Sequence, residues 1–272
     1  MSRGHHALQR ALVIALHDPG FVEAMHVDPD GTLGPLGLGP SETRQLLAVD
    51  RRAFATDPLR ARRVLRVLAE ELKVSTTLAL WETRSAAFAL AFFGSRFFRS
   101  AVLERTALAP AFGAYLAAAP LATPQLPDVI RLESLLARCR RARLDRPRSG
   151  VGLAPGVASA TFDAGVLETV QRVERFLFEL ALMPQLAFCS DGPALPALVP
   201  IGGGVVHLLV TPSPDGVALA PIDEDLHRVL AALARPVPRP ELHRALAPAG
   251  VPAARAAALV ASLVADGLVT DA

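Results

Sequence analysis

Lysine is almost missing from this 272-residue chain: Lys73 stands alone, so 27 of the 28 basic residues are arginine. With abundant alanine, leucine and proline, this bias reads as the imprint of a GC-rich coding genome rather than of arginine-specific recognition. Charge of either sign is scarce in excess, since 28 basic residues face 26 acidic ones for a net charge of +2. That balance argues against a dedicated nucleic-acid binder, which carries a strong basic surplus. Cysteine is limited to Cys139 and Cys189, without metal-ligand spacing. A disulfide framework is thereby excluded, and a reducing, cytoplasmic setting is expected. Long apolar runs are short or broken. Near the N-terminus only Ala11 to Leu16 is apolar, which is too little for a signal peptide. The uncharged stretch Thr106 to Pro127 has the length of a membrane span but holds four prolines and a glycine, so no transmembrane helix is expected.

Catalytic signatures are missing as well. Neither HExxH nor GxSxG occurs, and the glycines at 202–204 precede a strand pattern rather than a helix, so they make no phosphate cradle. The seven histidines (His5, His6, His17, His26, His207, His227 and His243) form no ligand spacing with a carboxylate. His227 and His243 are read as solvent-facing or packing residues. No catalytic residue, metal ligand or cofactor is expected in this chain, which is read as a non-enzyme.

What is present is ample apolar residue, 51% of the chain, enough for two domains with cores. The expected fold class is α+β, mostly α: an N-terminal helical domain followed by a winged-helix-like peptide-recognition domain. Residues 1–117 read as all-helical. Short helices flank Asp18-Pro19-Gly20, Ser41 is a candidate N-cap, and Asp57-Pro58 opens the clearest helix. Its stripe of Leu59, Val64, Leu65, Val67, Leu68 and Leu72 opposes Arg60, Arg62, Arg63, Arg66 and Glu70. Further helices are expected over 76–93, 97–103 and 109–116. Residues 118–127 read as a linker. A third part, 128–272, starts with a helix to Arg143, an extended stretch over 150–164 and a helix over 166–182.

The C-terminal pattern is the most informative. Val205 to Val210 is a β-branched run, Pro212, Pro214, Asp215 and Gly216 supply a turn, and Val217 to Ile222 forms the returning strand. Asp223 is an N-cap for a helix carrying Leu226, Val229, Leu230 and Leu233. Three prolines between Arg235 and Pro240 break it. A short helix follows over 241–246, and Pro252 opens a last one that ends at Gly267. A hairpin followed by three helices is the order of a winged helix, which either reads DNA or takes up a peptide on its sheet edge. The last helix has one arginine and no Asn, Gln or Lys, a poor surface for base readout. The DNA-binding regulator is therefore the alternative reading.

Two clusters have two uses each. Phe88, Phe92, Phe93, Phe97 and Phe98 are core candidates by spacing, yet five phenylalanines in eleven residues also suit an apolar partner-binding surface. The arginines at 138, 140, 141, 143, 146 and 148 are a solvated helix end favoured by the dipole or a patch for an acidic partner. Phe92, Phe93, Phe97, Phe98, Arg140 and Arg141 are the partner-binding candidates.

The order of four segments resembles one family: ATDPLRARRVLRVLAEELKVSTTLAL at 55–80, AFFGSRFFRSAVLERTALAPAFGAYL at 91–116, LAPGVASATFDAGVLETVQRVERFLFELALMP at 153–184 and PALVPIGGGVVHLLV at 196–210, closed by the winged-helix-like tail. The chain resembles the accessory subunits of multinuclear non-heme iron-dependent oxidases, which modify ribosomally made peptides, as in methanobactin and 3-thiaglutamate biosynthesis. The resemblance implies a heterodimer with the oxidase, iron held by that partner and none here, and a precursor peptide whose leader adds as a strand to the C-terminal module. The modified residue is typically a cysteine of the precursor core. The peptide edge inferred beside it is Val217 to Ile222 with the last helix, giving Val217, Leu219, Leu259, Val260 and Leu263 as candidate groove residues, each with a competing role in the module's own core. Neither nucleic acid nor membrane is an expected partner.

Overall fold

The computed structural model describes residues 3–142, 149–184, 194–214 and 216–271, and the fold is α+β and mostly helical. It divides into two compact units, Met1–Leu126 and Pro127–Ala272. The boundary falls in the first turn of a helix rather than in a free linker. The expected linker is tied down at its middle, where the Glu82 carboxylate accepts from the amides of Ala122 and Thr123 and from the Thr123 hydroxyl. These bonds hold the Glu82 carboxyl below the usual carboxylate range, the Ala122 amide contributing most.

The first unit is all-helical: α1 (Arg3–His17), α2 (Pro19–Val27), α3 (Pro29–Leu33), α4 (Pro40–Leu47), α5 (Arg51–Phe54), α6 (Arg60–Glu71), α7 (Lys73–Thr83), α8 (Ala86–Leu90), α9 (Arg96–Glu104) and α10 (Leu108–Ala118). Asp18 separates α1 from α2. Its buried carboxylate accepts from the Phe21 amide as the N-cap of α2 and from Arg99 of α9 at 2.6 Å. One side chain thus stops a helix, starts the next and ties both to a segment 81 residues away. Around it, Ile14, Phe21, Val22, Met25, Leu33, Leu46 and Phe54 form one apolar cluster.

Three local expectations change. Ser41 lies inside α4, whose N-cap is Gly39 with Pro40 in the first turn; proline's fixed φ suits that place. The helix expected over 76–93 breaks at Arg84, which takes a left-handed φ of 52° and stacks its guanidinium 3.7 Å above the Trp81 ring. The stripe on α6 is only partly a core face. Leu68 and Leu72 are buried, whereas Leu59 and Val67 are more than half exposed.

The second unit contains α11 (Leu126–Ala142), β1 (Val151–Leu153), β2 (Ala158–Asp163), α12 (Val166–Leu182), β3 (Val205–Ser213), β4 (Gly216–Ile222), α13 (Glu224–Ala232), α14 (Leu242–Leu246), α15 (Ala253–Ala265) and β5 (Val269–Asp271). Strands β2, β3 and β4 form an antiparallel sheet in that order. Strand β1 pairs with β5, and Val151 also bridges to Val237. Asp223 caps α13 through the Leu226 amide, and Gly267, at φ 70°, ends α15 with the Leu268 amide on the Leu263 carbonyl. Val151, Val229, Leu233, Leu242, Leu246, Ala256, Val260, Leu263 and Val269 make the core between these elements. No single helix among the described residues is long and apolar enough to cross a membrane.

Phe92 lies at the centre of the first unit's aromatic core, its ring against those of Phe93, Phe98, Phe112 and Tyr115. Phe92→Ala should therefore cost about 3–5 kcal/mol. Phe178→Ala, at an exposed site on α12, should stay within about 0.5 kcal/mol of wild type. Urea unfolding of the two variants checks both values.

Candidate functional site

In a strand, a residue turns its N–H and C=O to the same side, and its neighbour turns them to the other. This alternation decides which edges of the β2–β3–β4 sheet are open. The hairpin closes with Ser213 opposite Gly216, and the pairs then run Pro212 with Val217, Thr211 with Ala218, Val210 with Leu219, Leu209 with Ala220 and Leu208 with Pro221. A proline has no N–H to give a neighbouring strand. Pro212 and Pro221 fall on one phase of the ladder, which is the phase that does not bond across β3 and β4. Ala218, Ala220 and Ile222 therefore bond to β3, while Val217, Leu219 and Pro221 turn their backbone groups outward.

Carried across the sheet, the same phase makes Ser159, Thr161 and Asp163 the outward residues of β2, paired by position with Leu209, His207 and Val205. Two of these are occupied by α11. Arg131 donates to the Thr161 carbonyl at 3.0 Å, and the Asp163 amide donates to Asp128 at 2.9 Å. Arg131 also bonds Asp128 at 2.6 Å and lies 5.0 Å from the Phe162 ring centre. The third, Ser159, borders a cavity of about 420 Å³ whose walls include Arg138, Cys139 and Leu230. Burial pushes the Cys139 thiol up in pKa, and Arg138 opposes this. Two of the three outward positions of β2 are thus taken by α11.

The β4 edge is different. Among the described strands β4 pairs with β3 alone, and Ala218, Leu219, Ala220 and Pro221 are exposed. Side chains alternate across it. Val217, Leu219 and Pro221 share a sheet face with Leu208 and Val210, whereas Ala218, Ala220 and Ile222 share the face of His207 and Leu209. A strand laid against β4 finds two complete donor–acceptor residues, Val217 and Leu219, and one further acceptor at Pro221. On one face it meets large apolar side chains and on the other two alanines.

On that second face, α13 packs through a polar cluster. The His207 and His227 rings stack with centres 4.6 Å apart and planes 18° from parallel. The Thr161 hydroxyl lies 2.8 Å from His207 Nδ1 and 3.2 Å from His227 Nε2, and His227 Nδ1 lies 3.2 Å from the Ser159 hydroxyl. Burial lowers the His227 pKa, His207 lowers it further, and Glu224 opposes both. Below this cluster Leu209 and Leu230 join Val157, with Ile222 and Leu226 alongside.

The candidate residues named from sequence separate into groups. Val217 is half-buried and Leu219 is 38% exposed, both on the open strand. Val260 and Leu263 are not groove residues. Each is 4% exposed and belongs to the core with Leu233 and Leu246, because α15 turns that stripe toward α14 and β5. Leu259 is partly buried against the same core. The groove expected between the returning strand and the last helix is therefore reduced to the strand side. Phe92, Phe93 and Phe98 are likewise no partner surface, at 0%, 2% and 1% exposure, since their rings pack on one another. Phe97 is half-buried, with Tyr115 edge-on to it and the Arg96 guanidinium 5.0 Å from its ring centre. Arg140 and Arg141 are exposed on the last turn of α11. Arg143, Arg146, Arg148 and Cys189 lie outside the described residues. His227, read from sequence as a solvent or packing residue, is bonded to the sheet. Asp128 and Arg131 were not singled out, as only the tertiary fold brings them to β2.

No group of three or more His, Cys, Asp or Glu among the described residues is placed to hold a metal ion. No protein-family model matches the chain, and no curated protein matches it in sequence.

The division between core and edge has a direct consequence. Leu263→Ala should destabilise the second unit by about 2–5 kcal/mol, whereas Leu219→Ala should change stability by less than about 1 kcal/mol. Chemical denaturation followed by circular dichroism distinguishes them.

Proposed function

We propose that this chain is a non-catalytic partner subunit. Its C-terminal unit is a winged-helix-like module that captures a ribosomally made precursor peptide as an added strand on β4 and presents it to a multinuclear non-heme iron-dependent oxidase. The observation that carries this reading is the asymmetry of the sheet: α11 occupies the β2 edge through Asp128 and Arg131, while β4 stays exposed with Val217 and Leu219 facing outward. Main-chain bonds along such an edge supply affinity, and alternate side chains supply selectivity. The order of segments that resembles the oxidase accessory subunits supports the same reading. The iron and the chemistry, directed at a cysteine of the precursor, belong to the oxidase in this scheme. Holding the leader raises the effective concentration of the precursor core at the oxidase. The half-buried Phe97 with the exposed Arg140 and Arg141 are what remain of the partner-facing candidates. The alternative, a DNA-binding regulator, is weakened by α15, where Arg255 is the one cationic residue of the helix.

Co-expression with a multinuclear non-heme iron-dependent oxidase tests the pairing. The two should co-purify, with iron in the oxidase fraction. Separate elution together with salt-dependent binding to duplex DNA would transfer the assignment to the regulator. The strand edge has its own test in two proline variants. Leu219→Pro removes an outward N–H and should leave the fold intact while weakening leader-peptide binding about tenfold beyond Leu219→Ala, the equivalent of one hydrogen bond of about 1–1.5 kcal/mol. Ala220→Pro removes an N–H that bonds β3 and should destabilise the hairpin itself. Equal leader affinity for Leu219→Pro and Leu219→Ala would place the peptide elsewhere.

A further inference from the structure

We infer that His207 and His227 form an acid-sensitive latch holding α13 on the sheet, and that through it proton concentration regulates strand capture at β4; the second clause rests on the function proposed above. The geometry is specific. Two stacked imidazoles share one hydroxyl, that of Thr161, and a hydroxyl has a single proton to give. One ring nitrogen accepts that proton while the other ring donates its own N–H to the same oxygen. Ser159 completes the network at His227 Nδ1. With both rings neutral every one of these contacts is satisfied. A charge on His227 lies half-buried against a second imidazole. The charged groups on the surrounding elements are themselves paired or capped: on α11, Arg131 donates to the Thr161 carbonyl and is paired with Asp128 at 2.6 Å. On α13, Glu224 favours the charge but is itself paired with Arg228 at 3.4 Å. On β2, Asp163 is engaged by the amides of Gly165 and Gly202. Asp223 caps α13. Strand β4 and the turn Ala247–Ala249 carry no charged residue, and His243 and Arg244 of α14 are exposed.

The direction of the effect follows from His227. Its pKa in the folded unit is lowered, by burial first and then by His207. The opened state binds more protons than the folded one once the pH falls below about 6.5, the ordinary histidine value. The attachment of α13 is therefore at full strength above that pH and weakens as the pH falls toward the folded pKa. Strand β4 is linked to the latch because Asp223 joins them directly and Ile222 packs in one cluster with Leu226 and Leu230.

Hydrogen exchange on the full chain, corrected for the intrinsic pH dependence of exchange, reads the latch without any peptide. Protection of the Glu224–Ala232 amides should fall by up to about tenfold per pH unit below 6.5. In His227→Gln this dependence should vanish. Should that variant fail to fold, His207→Gln serves instead, because removing the neighbour that depresses the His227 pKa narrows the pH window and should make the loss of protection smaller than in wild type. Protection that stays level from pH 7 to pH 5, or that falls alike in wild type and His227→Gln, would overturn the latch. A leader peptide that binds at pH 7 and weakens in step with α13 protection supports the link to capture. Equal binding at pH 7 and pH 5.5 breaks that link. Absence of peptide binding at pH 7 counts against the proposed function and leaves the exchange result standing.

Discussion

The alternation of backbone direction along a strand governs the second unit. Once Pro212 and Pro221 fix the phase of the β3–β4 ladder, every other edge position follows. The phase also fixes which residues of β2 face away from β3, and at those residues α11 contributes a donor, Arg131, to a carbonyl and an acceptor, Asp128, to an amide. These two contacts, reached from a different side of the sheet, agree with the phase read from the prolines. An unpaired backbone group in a partly buried place is costly, and α11 relieves that cost at the Thr161 carbonyl and the Asp163 amide.

A similar economy holds in the first unit. Asp18 joins the ends of two helices to a third through one buried carboxylate, and its charge is met by Arg99 and an amide rather than left alone. The phenylalanines nearby fill the space that short helices leave between them. Edge-on ring packing of Phe92 with Phe93, Phe98 and Phe112 accounts for a density of aromatics that looked, in the sequence, like surplus.

Local patterns were legible in the sequence where local chemistry decides them. Asp223, Gly267 and the prolines around 236–240 punctuate the C-terminal helices as expected, because caps and missing N–H groups act within a few residues. The span of α12 and the returning strand were legible for the same reason. Position relative to the rest of the fold was not. Val260 and Leu263 carry the same apolar signature whether a helix lines a groove or faces its own core, and only the packing of α15 against α14 and β5 separates the two. Phe92 presents the same ambiguity. Asp128 and Arg131 are unremarkable at the start of a helix until β2 is beside them. The polar seam under α13 was equally hidden, since Ser159, Thr161, His207 and His227 come from three separate elements.

Pro221 has a further meaning for a protein with a bare strand. An unprotected edge invites identical edges, and two copies aligned strand to strand can begin an open-ended stack. Here the missing N–H caps how far any such pairing runs, because beyond Leu219 the edge can accept but not donate. The alanines on one face leave little apolar surface for a second sheet to grip. The open edge therefore offers both a donor and an acceptor at Val217 and Leu219 alone.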